Sequence, residues 1–479
     1  MPLKTCMQVL LLLFEDFYKL FLYMRSFMSL FELFKVKMDK DNLKIFYNTK
    51  IAHKASAGID KINRTTFERE NIFNENIDII HRKSLKGTYK FSPYMEKLIL
   101  KGRDKNPRVI SIPTIRDKIT LGILKDILSF KYSSELSNKL THSIVEDIKN
   151  AVSNKNYQYF IKLDIKGFYD HINRTILLDK IKKKIKRKEL LQLLQDAIEN
   201  PTKANLAKQK AVSTKLGIPQ GISISNILAN IYLNSLDKKF ERFKNISYFR
   251  YVDDILILCN RNNVERIYRL IDMELIDKLQ LGLNEKEDKG DIKSGFDYLG
   301  YRFTLINKTK MKYGFTVQDK NRMKLENSLI RIFSEYKGNE NSEVFIWKIN
   351  LRITGFIIDQ NKYGWLFFYS QIDDISVLYH LDSLIEKLCV KHNIHEELQK
   401  NIKKFVKAYH EIIKTRGNSS YIPKARDFTA AEQRRILQNI FGYKQQLIDQ
   451  MNDEEILKLF RTKLFLSVKD LEKDVQTFS

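Results

Sequence analysis

Cysteine is nearly absent from this chain, and the three present, Cys6, Cys259 and Cys389, are far apart. No C-x-x-C pair occurs, which excludes a disulfide framework and a zinc module and fits a reducing compartment, so a cytoplasmic location is expected. Proline (7) and glycine (17) are scarce among 479 residues, leaving no long flexible linker or low-complexity tract. No fixed-period repeat is present. Long apolar runs are missing too. Residues from Met7 to Phe34 are strongly apolar, including Val9 to Phe14, but Glu15, Asp16, Lys19 and Arg25 interrupt them. No uninterrupted stretch therefore reaches the roughly 20 residues of a membrane span, and no small-residue cleavage site follows. Stable membrane insertion is not expected. Residues 1–37 read either as an amphipathic helix packed on the body or a partner, or as an upstream extension with Met38 as initiator.

Acidic residues are in deficit. Lys and Arg number 84 against 58 Asp and Glu, a formal net charge of +26. Such a surplus suits a partner with regularly spaced negative charge, most commonly a nucleic-acid backbone. Part of it reflects a composition rich in lysine, isoleucine and asparagine. Hydrophobic residues at 43% and aromatics at 11% are ample for a packed interior of two or three subdomains.

From Asn42 onward, charged helical stretches alternate with short apolar strands. Ala55 to Asp60 reads as a small-residue turn and Asn63 to Ile80 as helix. Lys97–Lys101 and Arg108–Ile112 read as a hairpin around the turn formers Gly102 to Pro107, with Pro113 closing the second strand. Arg116 to Tyr132 has helical periodicity. Tyr159 to Ile165 is a short apolar run ending at a carboxylate, Asp164. Asn173 to Glu199 reads as helical and basic, and its charge run Lys180–Lys188 as a solvated face. Ser225 to Lys244 is amphipathic and opens after the turn Gly217 to Gly221. Two strands, Tyr248–Tyr251 and Ile255–Cys259, flank Asp253 and Asp254, giving a hairpin with acids at its tip. A helix from Val264 to Leu279 leads to a strand-turn-strand over Phe296–Phe303. Beyond Val317 the chain reads as mostly helical, with a loop at Gly417–Pro423 and a subdomain boundary near residue 375.

Three carboxylates on rigid strands point to metal chemistry. Nucleotide polymerisation uses two divalent cations, one acidifying the attacking 3′-hydroxyl and one holding the triphosphate and leaving pyrophosphate. Mg²⁺ prefers oxygen ligands and keeps substrate phosphates in its shell. Acid pairs are also common as caps and surface turns, and Asp373-Asp374 reads as one of those. Asp253-Asp254 differs because apolar strands lie on both sides.

Tyr251-Val252-Asp253-Asp254 resembles the catalytic box of reverse transcriptases, and the order of elements from about residue 50 to 305 is similar to their fingers and palm. Phe160 to Asp170 resembles the first catalytic motif. The resemblance implies Asp164, Asp253 and Asp254 as catalytic metal ligands, with the Ile165 carbonyl a further contact. Tyr169 matches the steric gate that favours deoxynucleotides; without the motif it would read as packing. Gly217 to Leu233 resembles the template- and nucleotide-positioning motif, implying roles for Pro219, Gln220, Gly221 and Ser225. It departs from mobile-intron enzymes in Asn226, where proline is usual, and Ile222, where a second glycine is usual. The hairpin resembles the triphosphate-binding element, with Arg108 gripping phosphate oxygens through a planar guanidinium and Lys97 and Lys101 as secondary contacts. Lys286 matches the lysine that protonates the leaving pyrophosphate, although Glu287-Asp288 replaces the usual Lys-Thr. Phe296–Phe303 resembles the primer grip, which assigns Leu299 and Gly300, with Tyr251, to template and primer.

The implied fold is α+β: a right-hand polymerase with fingers, a palm built on antiparallel sheet and a helical thumb, plus an α-helical C-terminal extension. The expected divisions are 1–37 as N-terminal segment, 38–305 as fingers and palm, 306–375 as thumb and 376–479 as helical C-terminal domain. The chain does not supply the acidic set of a retroviral ribonuclease H or the Cys/His endonuclease of many group II intron proteins. Ile353-Thr354-Gly355 is similar to the Val-Thr-Gly of retron enzymes but lies some 50 residues past the primer-grip segment. The remaining resemblance is to bacterial defence-associated and abortive-infection reverse transcriptases. It implies RNA-directed DNA synthesis with two Mg²⁺ ions, for which Mn²⁺ can substitute. The implied partners are an RNA template (a dedicated non-coding RNA), the DNA product and dNTPs, and homo-oligomerisation is compatible with the pattern. Untemplated or protein-primed synthesis, a retron or intron role, and an RNA-binding scaffold without activity remain alternatives.

Overall fold

The computed structural model describes residues 29–475, except 53–54, 101–105, 137–138, 156, 205–214, 285–287, 337, 339–341, 360 and 416–418. The apolar segment before Ser29, Cys6, Lys101, Lys286 and part of the Gly417–Pro423 loop lie outside the described residues. The expected α+β class holds, with helices and predominantly antiparallel sheets. Among the described residues, no helix is long and apolar enough to cross a membrane. The chain divides into two compact units, each discontinuous in sequence: residues 1–136 with 169–234, and residues 137–168 with 235–479.

In the first unit, strands β1 (Tyr94–Ile99) and β2 (Arg108–Ile112) form the expected antiparallel hairpin, with Lys97 opposite Ile110 and Ile99 opposite Arg108. A short parallel strand, β4 (Thr202–Lys203), joins the other edge of β1. Pro113 ends the hairpin, and the Thr114 side chain caps the next helix, Ile115–Lys131, by accepting from the Asp117 N–H. That helix is buried along most of its length, which its apolar stretch Ile119–Leu124 requires. The helical stretch expected over 173–199 is divided into two helices, Arg174–Lys184 and Lys188–Glu199. Between them Ile185 leaves helical geometry (φ −112°, ψ 116°) and is fully buried, so core packing overrides a local preference that the charge run leaves weak.

The second unit is built on a four-stranded antiparallel sheet in the order β5 (Ile246–Tyr251), β6 (Asp254–Cys259), β3 (Tyr159–Asp164), β7 (Asp288–Asp291). Ile255 to Cys259 are all buried, as a central strand covered on both faces demands. Cys259 and Cys389 are buried free thiols, pushed up to about 11 by burial. A second sheet, β8 (Phe296–Tyr298), β9 (Tyr301–Asn307) and β10 (Lys312–Val317), carries the aromatic cluster Phe296, Phe303 and Phe315. These rings share one core with Phe160 and Leu256 of the first sheet, Ile148, and helices as far along the chain as Phe405 and Ile412. Residues on both sides of position 375 thus feed the same core. The Asp373-Asp374 pair is structural. Asp373 accepts from Lys149 (2.7 Å) and the Phe315 N–H (2.9 Å), and Asp374 accepts from the Ser376 N–H (3.0 Å). A short hairpin, β11 (Phe356–Ile358) with β12 (Asn361–Tyr363), interrupts the region expected to be mostly helical.

Candidate active site

Asp164 is the last residue of β3 and Asp254 the first of β6, and the two stand directly opposite in the antiparallel register. Directly opposed residues place their Cβ atoms roughly 4.5–5.5 Å apart, close enough for two carboxylates to share a cation. Asp253 sits in the turn between β5 and β6. Tyr251 pairs with Asp254, leaving Val252 and Asp253 as a two-residue connection. Val252 adopts φ 56°, a position a tight hairpin normally gives to glycine. A β-branched residue held in the left-handed region is strain that its surroundings must over-determine.

Those surroundings are specific. Arg250 donates from Nη1 to the Val252 carbonyl (2.8 Å) while gripping Asp237 through Nε (2.7 Å) and Nη2. Tyr298 donates its hydroxyl to the Asp254 carbonyl at 3.0 Å. Asn284 holds Asp164 twice, its backbone N–H donating to the Asp164 carbonyl (2.9 Å) and its amide to the carboxylate (2.7 Å). The Ile165 N–H reaches the Asp253 carbonyl at 3.4 Å.

Burial pushes the Asp254 carboxyl up to about 7, Asp253 adds to the effect, and Asp164 contributes against the opposing charges of Lys162 and Lys320. This acid is thus ill at ease when ionised without a nearby cation. Among the described residues no group of three His, Cys, Asp or Glu side chains closes to metal-holding distance. An all-oxygen set offering one or two carboxylates fits Mg²⁺, which completes its shell with water and substrate phosphates. The residues that would hold it are Asp164, Asp253 and Asp254, with the Ile165 carbonyl adjacent.

The Phe296–Phe303 segment belongs to the same unit. Leu299 (φ 49°) and Gly300 (φ 82°) form the two-residue turn between β8 and β9, both left-handed as a type I′ turn requires. The Gly300 carbonyl accepts from the Gln318 N–H (3.1 Å) and the Asn321 amide (3.3 Å).

The first unit gathers the nucleotide- and template-assigned residues. The Ser111 N–H on β2 donates to the Gln220 carbonyl at 2.7 Å, and the Ile218 N–H donates to the Tyr169 carbonyl at 2.9 Å. Ser225 ties the turn together by donating to the Pro219 carbonyl at 2.6 Å. Gly221 (φ 97°) must lack a side chain, because a Cβ there would lie 2.7 Å from Ile110. Arg108 is half-buried and Lys97 exposed on the hairpin, and Tyr169 is half-buried. A cavity of 830 Å³ lies alongside, lined by Val109, Ser111, Arg174, Lys215, Pro219 and Gln220 among others.

Asn284, Arg250, Asp237, Tyr298, Lys162 and Lys320 escape the sequence reading. Asn284, Tyr298, Lys162 and Arg250 lie inside segments read as motif or strand, but nothing local marks their roles, and Asp237 and Lys320 lie outside all of them.

A family model described as reverse transcriptase (RNA-dependent DNA polymerase) matches residues 99–303. The chain is 32% identical over 165 residues to the group II intron-encoded protein LtrA of Lactococcus lactis subsp. cremoris, covering 33% of this chain and 27% of that protein. It is 24% identical over 320 residues to protein YkfC of Escherichia coli, covering 57% and 80% respectively. The putative COX1/OXI3 intron 1 protein of Saccharomyces cerevisiae matches at 24% over 309 residues, 49% of this chain and 36% of that one. The chain thus spans about a quarter of the length of LtrA. Among solved structures, telomerase from Candida albicans with a fragment of telomeric RNA aligns with a TM-score of 0.40 and 13% identity, over 87% of this chain and 69% of that one.

Proposed function

We propose that this chain, a member of the reverse transcriptase family related to group II intron-encoded proteins, is an RNA-directed DNA polymerase that adds dNTPs to a 3′-hydroxyl. The observation that carries the reading is the end-of-strand pairing of Asp164 with Asp254 beside Asp253 on a strained, braced turn. When bound, Mg²⁺ would acidify the attacking hydroxyl and neutralise charge on the triphosphate. The chain's own contribution is placement. Asn284 fixes Asp164, Arg250 fixes the Val252 turn, and Tyr298 fixes the start of β6. Arg108 offers a planar fork to triphosphate oxygens, and Tyr169 supplies the aromatic that disfavours a 2′-hydroxyl. Lys286 is the candidate acid for the leaving pyrophosphate.

Purified protein incubated with Mg²⁺, dNTPs and a primed RNA template should extend the primer. Asp253→Ala and Asp254→Ala should abolish extension, and incorporation unchanged in both would refute the assignment.

The biological reading is antiphage defence with a dedicated non-coding RNA template. Support comes from Ser225-Asn226 in the positioning motif and from the helical region after residue 376. Loss of phage protection in the Asp253→Ala strain, together with one RNA species co-purifying with the protein, is the expected result. Protection that survives the substitution would remove the link between synthesis and defence.

A further inference from the structure

A cavity of 430 Å³ opens in the second unit, in the helical region beyond the matched domain that ends at residue 303. Three helices build it. Helix Asp319–Glu335 brings Arg331, helix Ser342–Thr354 brings Trp347 and Lys348, and helix Asp453–Val475 brings Lys463 and Leu466. Phe441 completes the wall from the turn that follows helix Ala430–Asn439. The middle helix feeds two cores. Its Phe345, Ile349 and Ile353 join the core shared with the sheets, whereas Leu351, with Trp347 packed against it, joins a separate cluster around Phe356, Leu437 and Phe460. The cavity lies along the seam between them, and Leu466 at its edge is 56% exposed.

The charges lining it are unbalanced. Four cations, Arg331, Lys348, Arg352 and Lys463, meet two carboxylates, Glu335 and Asp470. Both carboxylates already have partners. Lys348 lies 3.8 Å from Glu335, and Arg352 and Lys473 hold Asp470 at 2.6 and 2.8 Å. Arg352 also pairs with Asp474 at 3.3 Å. Arg331 and Lys463 are left over. No carboxylate among the described residues comes within ion-pair distance of either, and Arg331 acts on Asp474 only from farther off. The Lys463 ammonium instead lies 5.0 Å from the centroid of the Tyr443 ring.

Beside these cations stand aromatic planes. The Trp347 and Phe441 rings meet nearly at right angles (76°) with centroids 6.5 Å apart. Two uncompensated cations next to aromatic rings match an anion carried on a flat ring. A guanidinium and an ammonium suit phosphate oxygens, and an indole and a phenyl ring suit a base. The volume falls in the range of roughly 300–1,000 Å³ usual for small-ligand sites. An adjoining cavity of 370 Å³ shares Lys348 and Phe441 but adds no further cation among the described residues. The positive charge therefore does not continue as the track that a nucleic-acid strand requires, and a free nucleotide is the better match.

We propose that this cavity binds a free nucleoside phosphate at a site separate from Asp164, Asp253 and Asp254, with Arg331 and Lys463 on the phosphates and Trp347 and Phe441 beside the base. The inference goes beyond the polymerase reading and stands without it.

The test uses the full chain and ATP as the probe, with EDTA present so that metal-dependent binding at the three aspartates makes no contribution. Equilibrium dialysis should show ATP bound by the wild type, and adenosine bound more weakly. Arg331→Ala and Lys463→Ala should each weaken ATP binding about tenfold, as loss of a hydrogen bond to a charged group does. The charge-preserving Arg331→Lys and Lys463→Arg should keep most of the affinity. The chain has two tryptophans, and Trp365 is buried in the other core. ATP should therefore quench the emission of Trp347, and Trp347→Phe should lose the quench while dialysis still detects binding. Absence of ATP binding by the wild type would overturn the proposal, as would adenosine binding as tightly as ATP or an affinity unmoved in both alanine variants. A single-stranded oligonucleotide that binds more tightly than ATP, and loses more affinity in those variants, would also overturn it, because the face would then serve a strand. Thermal unfolding midpoints matching the wild type in the alanine variants separate lost binding from lost folding.

Discussion

Arg250 and Asp237 form a two-pronged ion pair, with the guanidinium Nε 2.7 Å from one carboxylate oxygen and Nη2 bonded to the other. The same guanidinium holds the Val252 carbonyl, and Tyr248 donates to Asp237 at 2.8 Å. The side chains are only 9% and 19% exposed, so this pair is a buried brace for the Val252-Asp253 turn rather than a surface ornament.

Arg250→Ala should therefore destabilise the fold by roughly 3–5 kcal/mol, the usual cost of stranding one partner of a buried ion pair. Arg250→Lys should recover only part of this, since a single ammonium cannot hold both carboxylate oxygens and the carbonyl. Urea denaturation of the three proteins measures the difference. Primer extension by Arg250→Lys should drop more than its stability does, because the turn loses its third bond.

A second buried carboxyl makes stability depend on pH. Asp117 is fully buried and accepts from the Tyr89 hydroxyl (2.6 Å) and the Ser92 N–H (3.0 Å). Burial raises its pKa above the ordinary carboxylate value, outweighing the bonds from Tyr89 and the charge of Arg116. With the folded value above the unfolded one, its contribution is complete below the unfolded value near 4 and is lost as pH rises through the folded value. Asp117→Asn should flatten that part of the stability profile while lowering stability at acid pH, since its amide meets two donors. Denaturation midpoints across a pH series show both effects, and a profile parallel to wild type would contradict the assignment.

Arg352 is 5% exposed on the helix Ser342–Thr354 and pairs with Asp470 at 2.6 Å and Asp474 at 3.3 Å on the helix Asp453–Val475. Arg352→Ala leaves Asp474 buried without its countercharge and should cost about 3–5 kcal/mol. The double substitution Arg352→Leu with Asp474→Leu should be milder than Arg352→Ala alone, because it removes the stranded charge as well. Thermal unfolding of the single and double variants decides this.

Gly355→Ala should destabilise the β11–β12 hairpin, because its left-handed backbone costs a side chain roughly 1–2 kcal/mol before any clash and the Tyr363 carbonyl leaves no room. Hydrogen exchange at the flanking pairs Phe356–Tyr363 and Ile358–Asn361 should accelerate, while exchange in β3 and β6 stays at wild-type rates.

Much of this molecule is legible in its sequence where the determinants are local. The Asp253-Asp254 hairpin announces itself through flanking apolar strands, and the β1–β2 hairpin through its turn formers. Other features depend on partners chosen by the fold. Nothing near Arg250 in sequence says that Asp237 receives it, and nothing near Asp164 says that Asn284 orients it. The β11–β12 strands are three residues each, too short for alternation to declare them, and they form because Phe356 to Ile358 find a core. The break at Ile185 has the same origin, since burial of one side chain outweighs the helical tendency of its neighbours.

The pairing of Asp164 with Asp254 at the end of the β3–β6 register has a consequence for inheritance. Successive residues of a strand point to opposite faces, so deleting one residue between Phe160 and Leu163 would turn the carboxylate of Asp164 away from its partner. Composition and hydrophobicity would barely change. Each strand therefore behaves as a reading frame. Ile161 and Leu163 can be exchanged for other apolar residues of similar volume, whereas a single-residue insertion or deletion is a frameshift in the candidate site, silent in the makeup of the chain and ruinous to the pairing of its carboxylates.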